Sequence, residues 1–199
     1  MIKVKICGLF RPCDIEAVNA EKPDYIGFVF AESRRKVTLI QAVELKKLLL
    51  PDITTVGVFV DEAVENIFLL VCEGVIDIIQ LHGTEDEAYI QKLKQLTGKP
   101  VIKAVSVKSK GDVQKWSDTA ADYLLLDHKG GGTGQSFDWD MIGEVNKPYF
   151  LAGGLRPENI SEAIQKTVPY AVDVSSGVET GGVKDLAKIK EFIRRIRDE

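Results

Sequence analysis

What most constrains this chain is an alternation running from end to end, in which short apolar, β-branched runs are separated by amphipathic stretches. Runs at 2–6, 25–30, 55–60, 76–81, 101–105, 123–126, 149–151 and 171–174 read as strands, and most are apolar on both faces. Such a strand must be covered twice, by helices on one side and packed side chains on the other, which is the condition of a parallel sheet built from βαβ units. Helical patterns fall between the runs at 39–50, 62–73, 85–96, 111–120, 157–165 and 184–196, with Pro157 in a first turn and Lys and Arg in the last turn of the final segment. A further helix is expected to open at Phe137-Asp138-Trp139 and to contain Gly143.

Eight such units could close into a (β/α)8 barrel or lie open as a doubly wound sheet, and periodicity does not separate the two. Glycine placement does. A dinucleotide fold puts GxGxxG after its first strand, where this chain has Cys7-Gly8-Leu9-Phe10-Arg11. Glycines suited to a phosphate instead follow the seventh and eighth strands, as in barrel enzymes. A compact, single-domain α/β TIM barrel is therefore expected, and 199 residues at 45% hydrophobic suffice for one such core.

A formal charge of −4 with dispersed Lys and Arg gives no basic stripe for nucleic acid. No apolar run approaches the roughly 20 residues of a membrane span, and no secretory pattern opens the sequence. A soluble, cytoplasmic protein follows as the expectation. Cys7, Cys13 and Cys72 are an odd number without metal-ligand spacing, which suits reduced thiols; Cys13 and Cys72 lie in helical patterns and read as structural.

Barrel enzymes keep their chemistry at the carboxyl ends of the strands. The first run delivers Cys7 there, and a thiol elsewhere read as a small buried hydrophobe becomes a candidate nucleophile or base if neighbours lower its pKa. The sixth run delivers Asp127 into the glycine-rich stretch 128–134. A carboxylate in that position is either a turn or cap residue or, beneath a loop that closes, a proton donor with a raised pKa. Gly153 and Gly154 after the seventh strand, and Ser175 and Ser176 after the eighth, form two consecutive turns with exposed backbone N–H groups, an arrangement suited to a phosphorylated small molecule. Arg34 and Arg35 follow the second strand, where one of them could reach inward to hold a carboxylate. His82 ends the fourth strand as either a substrate contact or a satisfied loop residue.

Lys5-Ile6-Cys7-Gly8-Leu9, Gly27-Phe28-Val29-Phe30, Val56-Gly57-Val58-Phe59-Val60, Gln80-Leu81-His82-Gly83, Gly131-Gly132-Thr133-Gly134, Ala152-Gly153-Gly154-Leu155 and Asp173-Val174-Ser175-Ser176-Gly177-Val178-Glu179 occur in an order that resembles the phosphoribosylanthranilate isomerase family of tryptophan biosynthesis. The resemblance runs from residue 2 to the last helical segment. It implies an Amadori rearrangement of N-(5-phosphoribosyl)anthranilate without metal or organic cofactor. It also implies Asp127 as general acid, Cys7 as general base, and the phosphate on Gly153, Gly154, Ser175 and Ser176. The family often has a proline shortly before the carboxylate-binding arginine; Ser33-Arg34-Arg35-Lys36 lacks it, and alignment on Lys36-Val37 selects Arg35. The related barrel isomerase of histidine biosynthesis would need a carboxylate in place of Cys7 and a second phosphate site in the first half, neither of which is visible. A silent phosphate-binding barrel would have no use for Cys7 and Asp127 together.

Overall fold

The computed structural model describes residues 1–127 and 138–198. Strands β1 (Lys3–Cys7), β2 (Tyr25–Val29), β3 (Thr54–Phe59), β4 (Ile78–Leu81), β5 (Val101–Ser106), β6 (Tyr123–Asp127), β7 (Tyr149–Leu151) and β8 (Ala171–Val174) pair in chain order, all parallel. Pairing of β8 with β1, with Lys5 opposite Asp173, closes the barrel. The doubly wound alternative is thereby excluded. Each expected strand lies within two residues of an observed one, and Cys7 and Asp127 are themselves the last residues of β1 and β6.

Helices α1 (Pro12–Glu21), α2 (Leu39–Leu48), α3 (Val64–Cys72), α4 (Glu87–Thr97), α5 (Lys110–Gln114), α6 (Ile160–Thr167) and α7 (Leu186–Arg197) accompany the strands. Alternation along each strand sorts its side chains into two layers. Val4 and Ile6 of β1 belong to the large apolar shell beneath the helices. Inside the barrel, Tyr25, Val56, Ile78, Ile102, Leu125 and Phe150 form a separate plug, with the Tyr25 and Phe150 rings edge to face at 5.5 Å. Among the described residues no helix is long and apolar enough to cross a membrane.

Several expected helices are corrected. The stretch 111–120 holds only the short α5, because Thr119 Oγ1 and Ala120 N donate to the Glu87 carboxylate at 2.7 Å each and draw the chain off to the start of α4. Pro157 lies in a turn rather than a first helical turn; Asn159 Oδ1 accepts from Arg156 N at 2.9 Å, and α6 begins only at Ile160. After Asp138 there is a single 3-10 turn, Trp139–Met141, and Gly143 lies beyond it at φ +67°. Lys184 does not open the last helix. It belongs to a two-stranded hairpin, β9 (Glu179–Thr180) with β10 (Val183–Lys184), and α7 is capped instead by Asp185, which accepts from Ala187 N at 2.9 Å. Cys13 and Cys72 are exposed on α1 and α3, contrary to the structural role expected of them.

Candidate active site

A cavity of about 220 Å³ opens at the carboxyl ends of the strands, and Cys7, Arg35, His82, Asp127, Gly153, Gly154, Ser175 and Ser176 all line it. Arg34 does not, and its side chain is 57% exposed.

Cys7 is buried. Its thiol has room only because β2 carries glycine opposite it: a Cβ on Gly27 would stand 2.7 Å from Cys7 Sγ. Two residues earlier on the same interior face, Lys5 is fully buried, and its ammonium meets Asp173 Oδ1 at 3.0 Å. The expected lowering of the thiol pKa is not found. Burial pushes Cys7 up from the ordinary value; the Lys5 and Lys184 ammonium groups oppose this, but burial and the Asp173 carboxylate prevail. For Lys5 the balance is reversed: burial pulls its pKa down, but attraction to Asp173 and Cys7 outweighs that and raises it.

His82 Nδ1 lies 3.1 Å from Gln80 Nε2, and with the amide donating there the ring carries its proton on Nε2. Nε2 points toward Asp127 Oδ2 at 3.6 Å, too long for a direct hydrogen bond. Burial lowers the His82 pKa, with Lys5 and Lys103 adding to the effect while Asp173 and Glu85 oppose it, so the ring is neutral near pH 7. The stretch 128–134, expected to be a closing loop, lies outside the described residues.

Gly153 and Gly154 have φ of +86° and +65°, in the region that favours glycine, and this geometry turns the chain after β7. The facing turn after β8 packs so closely that a Cβ on Gly177 would lie 1.8 Å from Leu155 O. Beyond β8 the chain runs through a 3-10 turn, Ser176–Val178. Ser175 Oγ donates to Cys7 O at 3.0 Å, which ties the two strand ends together.

Arg35 reaches the cavity across the end of β1. Gly8, at φ +81°, leaves the space, since a Cβ there would lie 2.4 Å from Arg35 Cδ. The guanidinium pairs with the buried Glu179, Nε to Oε1 at 2.7 Å. Sequence reasoning missed Lys5, Gln80, Asp173, Glu179 and Lys184 as members of this region. The available signal was register: Lys5 with Cys7, Gln80 with His82, and Asp173 with Ser175 each alternate onto one interior face. Among the described residues no group of three or more His, Cys, Asp or Glu is placed to hold a metal ion.

A closed parallel barrel with a thiol and a carboxylate brought from different strands to one cavity defines a (β/α)8-barrel enzyme. The chain belongs to the N-(5'phosphoribosyl)anthranilate (PRA) isomerase family, whose pattern it matches over residues 4–195. It is 50% identical to the N-(5'-phosphoribosyl)anthranilate isomerase of Endomicrobium trichonymphae, with 99% of each chain covered. Against the phosphoribosyl anthranilate isomerase of Thermus thermophilus the TM-score is 0.90 at 33% identity, covering 99% of each chain. The Thermotoga maritima enzyme gives 0.89 at 35% identity, covering each chain fully. A crystal structure of phosphoribosyl anthranilate isomerase in complex with reduced 1-(o-carboxyphenylamino)-1-deoxyribulose 5-phosphate gives 0.86 at 34% identity over the full length of both chains.

Proposed function

We propose that this cavity isomerises N-(5-phosphoribosyl)anthranilate to 1-(2-carboxyphenylamino)-1-deoxyribulose 5-phosphate, with Asp127 as general acid and Cys7 as general base. The observation that carries the assignment is the placement of Cys7 on β1 and Asp127 on β6, three strands apart around the closed barrel and lining one cavity. A sugar held between them presents opposite faces to the two groups. Asp127 protonates the ring oxygen as the bond from carbon 1 to that oxygen breaks, and the nitrogen lone pair forms an iminium ion. The iminium acidifies the proton on carbon 2, which Cys7 removes as thiolate; the resulting enolamine tautomerises to the ketose.

Burial makes the thiolate costly, and Lys5 and Lys184 are the cations that offset the cost. Gly153, Gly154, Ser175 and Ser176 would take the phosphate mainly through backbone N–H groups, because Ser175 Oγ is engaged with Cys7 O. Arg35 would take the anthranilate carboxylate. The test is an assay with freshly made phosphoribosylanthranilate, following the loss of its fluorescence: turnover is expected, and its absence in folded protein would overturn the reading.

A further inference from the structure

Glu179 is a carboxylate surrounded by cations. Oε1 accepts from Arg35 Nε at 2.7 Å and from Lys184 Nζ at 2.7 Å; Oε2 accepts from Arg35 Nη2 at 2.9 Å and from Arg34 Nη2 at 2.6 Å. The side chain is 3% exposed. The hairpin fixes it there, since Glu179 and Lys184 are direct cross-strand partners and Lys188 Nζ donates to Glu179 O at 2.7 Å. Three cations meet one carboxylate, so the cluster keeps a surplus of positive charge beside the cavity.

A guanidinium has five N–H donors arranged along two usable edges. Glu179 occupies the side edge of Arg35, Nε with Nη2, as a bidentate pair. Among the described residues no hydrogen bond involves Arg35 Nη1, which leaves the end edge, Nη1 with the second Nη2 proton, for another anion. Of the two arginines on Glu179, only Arg35 lines the cavity.

We propose that Glu179 is the positioning residue of the carboxylate site: by holding the side edge of Arg35 it turns the end edge toward the substrate and thereby sets selectivity for a ligand bearing an aryl carboxylate. This rests on the function proposed above. A merely structural hub would support every ligand equally, whereas a positioning residue acts on the carboxylate alone.

The discriminating experiment is calorimetric titration of the wild type, Glu179→Gln and Glu179→Asp with two probes. One is reduced 1-(o-carboxyphenylamino)-1-deoxyribulose 5-phosphate, and the other is the same compound with a plain phenylamino group. Glutamine keeps the size and loses the charge. Aspartate keeps the charge that the three cations need and loses the reach for both guanidinium nitrogens, so it remains informative should the glutamine variant not fold. The wild type should prefer the carboxylate probe; both folded variants should lose about tenfold or more on that probe, the worth of a charge-assisted bond, and change little on the other. In turnover, KM should rise while kcat holds. Equal weakening of both probes in a folded variant would overturn the positioning role. A wild type that binds both probes equally would overturn the carboxylate site at Arg35 and this inference with it, and one that binds neither would overturn the proposed function itself.

Discussion

Burial raises the Cys7 thiol above its ordinary value of 9.0 against the pull of Lys5. In a Cys13→Ser, Cys72→Ser background, which removes the two exposed thiols, alkylation of Cys7 by iodoacetamide should therefore rise with pH and reach its midpoint above 9.0. A midpoint well below that would show that the Lys5 ammonium prevails over burial. Cys7→Ser should fold normally and lose about two orders of magnitude or more in turnover, because a hydroxyl is a far weaker acid and so cannot supply the base; near-normal rates would remove Cys7 from the proton transfer. Arg35→Lys should raise KM, since an ammonium cannot reproduce the planar fork, while Arg34→Lys, at a half-exposed position, should change KM little. The reverse sensitivity would shift the carboxylate site by one residue. At this scale the sequence showed Cys7 and Asp127, which end β1 and β6, and His82 just past β4, because a strand's carboxyl end can be read from its apolar run. It did not show Lys5, Asp173 or Glu179, since charged residues are by default read as surface and only three-dimensional closure pairs residues 168 positions apart.

The strands were legible because double burial leaves a run of apolar residues with sharp ends, whereas the helices were less so because their limits depend on capping contacts made across the fold. Glu87 ends α5 early by bonding Thr119 and Ala120, and no local pattern around 111–120 records that. The hairpin escaped notice for a similar reason: each of its strands has only two residues, too few for a period to show. The turns after β7 and β8 were visible as glycines, and their conformations now separate two tests. Gly154 at φ +65° and Gly143 at φ +67° should both resist valine, a β-branched residue that rarely adopts this region, so each variant should lose stability to a similar extent. Only Gly154 lines the cavity. Gly154→Val should therefore raise KM and weaken inhibition by inorganic phosphate, while Gly143→Val should leave both unchanged. Equal phosphate affinity in a folded Gly154→Val protein would remove that turn from the phosphate site.

Across the whole molecule, the barrel closes where β1 meets β8, and at that seam the interior holds an ion pair rather than apolar side chains. Lys5 is fully buried and the Asp173 side chain is 9% exposed, with 3.0 Å between the charged atoms. A buried pair contributes little net stability compared with apolar residues of similar volume, but breaking one side of it strands the other charge. Asp173→Asn should accordingly cost about 3 kcal/mol or more, on the order of 6–12 °C in Tm for a chain of this size. The pKa of Lys5 is raised by folding, so its share of stability is complete below the ordinary 10.5 and is lost only as pH rises through the higher folded value. Unfolding experiments at neutral pH thus measure the pair intact. A double replacement, Lys5→Met with Asp173→Leu, removes both charges together and should recover most of the lost stability. It should not recover turnover, because Lys5 is also a cation opposing the burial of Cys7, and without it the thiolate becomes harder to form. Thermal melts and steady-state rates on the same three proteins separate the two roles. Full activity in the stable double variant would show that the pair serves only to close the barrel, and an unperturbed melt for Asp173→Asn would show that the seam does not depend on it.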